Sequence, residues 1–280
     1  MMSRWVRPCL ALALWVPQFS SGVNLVEVYV SVTAPGARPV TGLTREDFQV
    51  FEDGERQTIG AFAAGEVPLA VAVAIDRSFS MAGRRLALAQ AAALGFLGEL
   101  RPADRSMIVA IGSEVETVAP LSATRDEQRE ALAGLKPWGT TGLYDAIIES
   151  IEAIQPAPGR RALVLLSDGD DRYSHASGTD ALDRARRSDV MVYPIALGPS
   201  RPELFAELAT LTGGRSFHAR DPNVLTETLR AIARELRHQY LLGYTPVRPL
   251  VPGRSEWRSI RVSVNRAAVT VRSRDGYMVR

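Results

Sequence analysis

The chain has 280 residues, 46% hydrophobic and 23% charged, an ordinary globular balance with room for one large domain and a smaller module. Thirty-three basic residues face 31 acidic ones, and setting aside Arg4 and Arg7 as part of a leader leaves 31 against 31. That neutrality removes any basic-patch argument for nucleic acid, and a lone cysteine, Cys9, excludes an internal disulfide framework.

Residues 1–22 read as a secretory leader: Arg4 and Arg7, a short apolar core over 9–16, then Gln18, Phe19, Ser20, Ser21 and Gly22. The core is too short to span a bilayer. The expectation is an exported chain, periplasmic or extracellular, with no stable membrane span once the leader is gone. Residues 23–65 then carry β signals. Val26, Val28, Val30 and Val32 alternate onto one face of a strand. A turn follows at Pro35 and Gly36, then a helical turn near 44–47. Two further strands surround Asp53-Gly54, a hairpin signal. This stretch has too little core to stand alone.

From 66 to 238, strands alternate with helices. Residues 69–75 form an uninterrupted apolar run, the pattern of a strand buried on both faces, and it stops at Asp76. Residues 84–100 turn helical, with Leu86, Ala89, Ala93, Phe96, Leu97 and Leu100 on one face. Strands are expected at 106–112 and 115–120. A helix follows at 124–135, opened by a Thr124–Glu127 capping box. Then come a loop at 138–141, a helix at 143–154, a strand at 161–167 and a helix at 179–187. A strand at 190–197, a helix at 203–211, an edge strand at 215–219 and a helix at 223–237 complete the series. The class is α/β: a doubly wound, mostly parallel sheet with helices on both faces. Residues 239–280 return to strands, at 239–244, 257–264 and 268–272. These are expected to pair with 23–65 in one small β sheet or sandwich, with 66–238 inserted between.

In open α/β sheets, ligands bind at the carboxyl ends of the strands. Asp76, Ser78 and Ser80 place a carboxylate and two hydroxyls on such an end, a donor set that suits a hard cation such as Mg²⁺. Two other stretches can complete a shell: residues 139–145, reading Gly-Thr-Thr-Gly-Leu-Tyr-Asp before a helix, and residues 161–171, a buried strand that ends in Ser-Asp-Gly-Asp-Asp. The plainer reading has Asp76, Ser78 or Ser80 capping the helix that follows.

These three pieces, in this order over 66–238, resemble the metal-ion-dependent adhesion site of von Willebrand factor type A domains. The flanks, with Val-Thr-Gly-Leu-Thr-Arg-Glu-Asp-Phe at 40–48 and Gln-Tyr-Leu-Leu-Gly-Tyr-Thr-Pro at 239–246, are similar to a bacterial family of exported VWFA-related domain proteins. The resemblance implies a Rossmann-like fold. It also implies a metal, Mg²⁺ or alternatively Mn²⁺, held by Asp76, Ser78, Ser80, Thr141 and Asp168. Thr140 is the runner-up to Thr141, Asp145 a support behind the loop, and Asp170 and Asp171 solvated loop charges. Arg77 stands where a small or polar residue is common, over the site mouth. With Met81, Thr140, Trp138 and the 170–178 loop it would ring a contact face. An open position on the metal would take a Glu or Asp carboxylate from a protein partner.

Catalysis finds little support. His175, His218 and His238 are scattered without ligand spacing, and neither a Gly-x-Gly-x-x-Gly nor a Walker motif occurs. The expectation is a binding module and not an enzyme. The alternatives are a metal-dependent phosphohydrolase, which needs an acid/base group near Asp76, and a structural envelope module whose site stays empty.

Overall fold

The apolar run that ends at Asp76 becomes the middle of a six-stranded sheet. The computed structural model describes residues 25–279 except 66, 250–252 and 254; the leader expected at 1–22 lies outside the described residues. Five strands come first: β1 (Val26–Ala34), β2 (Arg38–Pro39), β3 (Phe48–Glu52), β4 (Glu55–Gln57) and β5 (Ile59–Ala64). The alternating unit follows as β6 (Leu69–Asp76), α1 (Arg84–Glu99), β7 (Arg105–Ile111), β8 (Val115–Ser122), α2 (Asp126–Gly134) and α3 (Leu143–Ile154). It continues with β9 (Arg160–Ser167), α4 (Gly178–Arg186), β10 (Val190–Leu197), α5 (Glu203–Thr212), β11 (Phe217–Ala219) and α6 (Leu225–Arg237). Four strands close the chain: β12 (Tyr240–Tyr244), β13 (Glu256–Val264), β14 (Thr270–Arg272) and β15 (Gly276–Val279).

The large sheet runs β11-β10-β9-β6-β7-β8, parallel except that β8 returns antiparallel along β7. All eight residues of β6 are buried, because helices cover both faces and the period-two alternation sorts its side chains between them. Val71, Val73 and Ile75 join a core with Leu86 and Phe96 of α1 and Leu229 and Leu236 of α6. Ala70, Ala72 and Ala74 meet Ile147 of α3 and Phe205 of α5 in the other core. From β6 the sheet grows both ways, to β7 on one side and β9 on the other, so the strand order reverses there. The carboxyl end of β6 is the switch point at which such sheets bind ligands.

The remaining strands make two smaller sheets around a third core. One runs β14-β1-β12-β5 with β2 on β1, the other β15-β13-β3-β4. Val28, Val30 and Val32 share that core with Phe48, Val50, Tyr240, Leu242 and Ile260. β5 and β12 pair antiparallel, Ala64 opposite Tyr240, and the Gly65 amide donates to the Gln239 carbonyl at 2.9 Å. The chain therefore leaves for the α/β unit and returns from it at adjacent points. Asp53 (φ 47°) and Gly54 (φ 86°) form the tight turn joining β3 to β4, a left-handed pair that Asp-Gly tolerates well.

Three local expectations are corrected. The helix expected from Thr124 starts at Asp126 after Arg125 and has no side-chain cap. The Thr124 amide is taken instead by the Ser122 hydroxyl at 3.1 Å. The edge strand expected at 215–219 is shorter, Phe217–Ala219. An unanticipated strand, β15, pairs with β13; a Cβ on its Gly276 would stand 2.3 Å from the Arg258 carbonyl oxygen.

Candidate metal centre

Three loops meet at the end of β6. Backbone hydrogen bonds join the first two: the Trp138 amide donates to the Arg77 carbonyl at 2.7 Å and the Phe79 amide to the Gly139 carbonyl at 3.1 Å. The approach is close enough that a Cβ on Gly139 (φ +71°) would stand 2.5 Å from the Ser113 hydroxyl, which is why glycine occupies it. The third loop is held by the Thr141 carbonyl, which accepts from the Arg172 and Tyr173 amides at 2.9 and 3.1 Å.

The Asp76 carboxylate lies at the centre, 0% exposed. Its Oδ1 accepts from the Ser78 amide at 2.9 Å. Its Oδ2 accepts from the Ser167 hydroxyl at 2.7 Å and the Thr141 hydroxyl at 3.4 Å. The Ser78 and Ser80 hydroxyls stand 3.1 Å apart. Asp168, the first residue past β9, has a buried Oδ1 with no hydrogen-bond partner. The structure thus brings together the five residues singled out by sequence. It also removes the capping alternative: α1 begins after Gly83 with no side-chain cap, and Ser78 makes none to the 3₁₀ turn Phe79–Met81.

Burial pushes the Asp76 carboxyl above its ordinary range and the Asp168 charge adds to this, while hydrogen bonds from Ser78 and Ser167 pull the other way. Among the described residues no basic side chain pairs with either aspartate. Two carboxylates without a counter-cation, one with an orphaned buried oxygen, beside three hydroxyls, form an all-oxygen donor set that fits a hard divalent ion. Among the described residues there is no cluster of three or more His, Cys, Asp or Glu with that capacity; here neutral hydroxyls make up the rest of the set.

The other expected residues are placed as follows. The Thr140 hydroxyl turns away to Ser113 at 3.2 Å. Asp145, in the first turn of α3, accepts from the His175 and Ala176 amides at 2.8 and 2.9 Å and so steadies the third loop. Asp170 pairs with Arg172 at 3.1 Å on the surface. Arg77 is drawn to Glu116 of β8 at 2.8 Å and lies 5.3 Å from the Trp138 ring, so its charge over the mouth is already neutralised.

Two expectations are overturned. Met81 is fully buried and is core, not rim; its neighbour Phe79 is the exposed side chain, at 67%. Asp171 is not a solvated charge: its Oδ1 accepts from the Leu143 and Tyr144 amides at 2.7 and 3.3 Å and from the Ser174 hydroxyl at 2.5 Å, capping α3 from a distant loop. Ser167 is a partner that the sequence pattern does not single out: the parallel register that sets Ile75 beside Leu166 brings it alongside Asp76. Phe79, Trp138 (41% exposed) and Tyr173 (55%) come one from each loop and are exposed aromatic side chains.

Residues 71–170 match the family model of the von Willebrand factor type A domain. The chain carries a von Willebrand factor type A domain. The cattle (Bos taurus) calcium-activated chloride channel regulator 1 is 33% identical over 91 residues, 32% of this chain and 9% of that protein. The matched stretch is thus a small part of that relative. Among solved structures, a von Willebrand factor type A protein from Catenulispora acidiphila superposes with a TM-score of 0.59 at 16% identity, over 80% of this chain and 71% of that one. Proximal thread matrix protein 1 from the mussel byssus, with a zinc-occupied adhesion-site motif, gives 0.55 at 14% identity over 66% and 49%. At such identities the likeness is one of fold, and it places the type A domain's sheet and helices as described above.

Proposed function

We propose that this type A domain captures a protein partner through a divalent cation held by Asp76, Ser78, Ser80, Thr141 and Asp168. The observation that carries the reading is the uncompensated charge: a fully buried Asp76, with the orphaned Asp168 oxygen in the same site and, among the described residues, no basic side chain paired to either. A buried carboxylate left in this state is costly unless a cation joins it. Mg²⁺ is the favoured ion because it accepts few protein ligands and retains waters, and Mn²⁺ can substitute. The mussel protein's zinc-occupied motif supports a metal at this position in the fold.

Two carboxylates balance the ion's charge, and with neutral hydroxyls and water in the rest of its shell it stays electrophilic enough to take a Glu or Asp from the partner. Phe79, Trp138 and Tyr173 supply the aromatic contact area that binding surfaces favour. The Ser78 hydroxyl meets another hydroxyl and not a base, so the reading is adhesion and not hydrolysis. We place the protein outside the cytoplasm, with 1–22 removed as a leader and 66–238 inserted between strand segments 23–65 and 239–280. No helix among the described residues is long and apolar enough to cross a membrane.

Calorimetry with Mg²⁺ and Mn²⁺ on the chain from residue 23, beside Asp76→Ala, tests this. One-site binding that the variant loses is the expected result. No binding even with a millimolar carboxylate present would end the metal reading.

A further inference from the structure

Away from the metal loops, a groove of about 880 Å³ runs between the α/β unit and the β strands. One wall is the end of α5 and the segment into β11; the other is β13 and the stretch from β14 towards β15. Five arginines line it (Arg201, Arg215, Arg261, Arg272 and Arg274), with Asp275 as the one carboxylate in the lining. In a chain as close to neutral as this one, that is a local concentration of positive charge.

Most of that charge is not cancelled inside the protein. Asp275 is committed to Arg186 at 3.0 Å, outside the groove, and Arg272 to Glu235 at 2.5 Å. The hydrogen-bond and ring partners of the other four guanidiniums are neutral, and Asp189 reaches Arg274 only through its field. Arg201 donates to the Ser216 hydroxyl at 2.9 Å and Arg274 to the Glu27 carbonyl at 2.7 Å. Arg215 lies 4.7 Å from the Phe217 ring and Arg261 4.2 Å from the Phe51 ring. Stacking holds a guanidinium plane in place while leaving its N–H edge free to grip a carboxylate.

The groove is preformed. The Asp275 amide donates to the Leu211 carbonyl at 3.1 Å and the Ile260 amide to the Asp275 carbonyl at 2.8 Å. Gly213 (φ +77°) lets the end of α5 sit against the Ser273 backbone, where a Cβ would stand 2.5 Å from its carbonyl carbon. Phe217, Val262 and Val271, all half-buried, also line it, and β11 and β14 are end strands of their sheets. A bare anion would use the charge and leave the apolar wall unused. An extended chain can use both, and end strands offer it backbone groups as well.

We propose that this groove is a second binding site, for an extended acidic peptide segment with apolar residues between its carboxylates. It is independent of the metal-centre reading and is tested without metal. The probe is a fluorescein-labelled octapeptide of alternating Glu and Val, followed by anisotropy in EDTA at low salt. Saturable binding that weakens as salt rises is expected, at least on the order of tenfold weaker in Arg215→Glu/Arg261→Glu and unchanged in Asp76→Ala. Melting curves check the charge-reversed protein, and Arg215→Ala/Arg261→Ala, which should also lose affinity, replaces it if folding fails. No saturable binding, or affinity equal to that of the native chain in both double variants, overturns the proposal. So does binding that needs a divalent cation and disappears in Asp76→Ala, which would return the peptide to the metal centre. Tighter binding of a sulfated oligosaccharide, or full displacement by millimolar inorganic phosphate, would likewise reject a peptide site.

Discussion

Glu52 in the β strands and Asp76 in the α/β sheet are both carboxylates withdrawn from water, 3% and 0% exposed, and their surroundings are opposite. Glu52 Oε1 accepts from the Arg258 guanidinium at 3.0 Å, and Oε2 accepts from the Tyr244 and Tyr277 hydroxyls at 2.8 and 2.9 Å. Burial first, and then the contact with Glu52, push both phenols well above their ordinary range, so they remain protonated donors. Arg258, fully buried, completes its bonding with Glu256 and the Arg248 and Pro249 carbonyls. Charge and hydrogen bonds close within the fold. Asp76 has hydroxyls, an amide and a second negative charge. A scaffold cancels its buried charge internally; at Asp76 no basic side chain among the described residues does so, and the proposed metal ion would take that part.

The largest effect expected from breaking this contrast is at the closed end. Arg258→Met strands Glu52 as a buried, unpaired charge and should cost roughly 3–5 kcal/mol, read from urea unfolding. Adding Glu52→Gln should recover part of that loss. If Arg258→Met costs almost nothing, the pair is not closed in the way described.

Next in size is the response of the open end to metal. With Mg²⁺ at a hundred times its Kd, the native chain should gain about 2.7 kcal/mol by mass action, seen as a raised Tm that EDTA reverses. Asp76→Ala should show no such rise. A variant that still responds to the ion would place the metal elsewhere.

Asp171→Ala comes third. It removes the cap from α3 and one tether of the third loop, for a loss of about 1 kcal/mol in stability. It should also weaken Mg²⁺ affinity, since Thr141 and Asp168 lie on either side of that tether. Stability falling with metal affinity intact would confine Asp171 to the helix.

This residue also marks where the sequence stops being legible. β6 could be read because a strand buried on both faces leaves an uninterrupted apolar run, with alternation written in Val against Ala. The three loops could be read because their oxygen donors follow strand ends or precede a helix. Asp171 could not, because the amides it caps belong to Leu143 and Tyr144, 28 and 27 residues earlier; nothing local distinguishes it from Asp170, which is on the surface. Phe79 takes the exposed place expected for Met81 because in one turn of 3₁₀ helix no periodicity says which side chain points inward. At Thr124 the capping signature lost to one local and several tertiary bonds: the Ser122 hydroxyl two residues back takes its amide, while Arg125 reaches the Ser106 hydroxyl and the Arg101 and Asp104 carbonyls. The meeting of β1 with β12 rests on a deficit, two ends each too small to bury a face alone.

The smallest expected effect on stability sharpens the comparison most. Asp76→Asn keeps the size and the Oδ1 acceptor for the Ser78 amide. The new amide group would face the Ser167 and Thr141 hydroxyls, which can rotate from donating to accepting. What disappears is a buried negative charge beside Asp168. Stability without metal should therefore stay within about 1 kcal/mol of the native chain, with a gain as readily as a loss, while Mg²⁺ binding is abolished. Glu52→Gln, the same chemical change, should destabilise clearly because it takes from the buried Arg258 its one fully buried countercharge and leaves only the partly exposed Glu256. Both variants belong in one denaturation series in EDTA. If they lose stability equally, the charge at Asp76 is already neutralised by the fold, and the proposed metal centre loses the observation on which it rests.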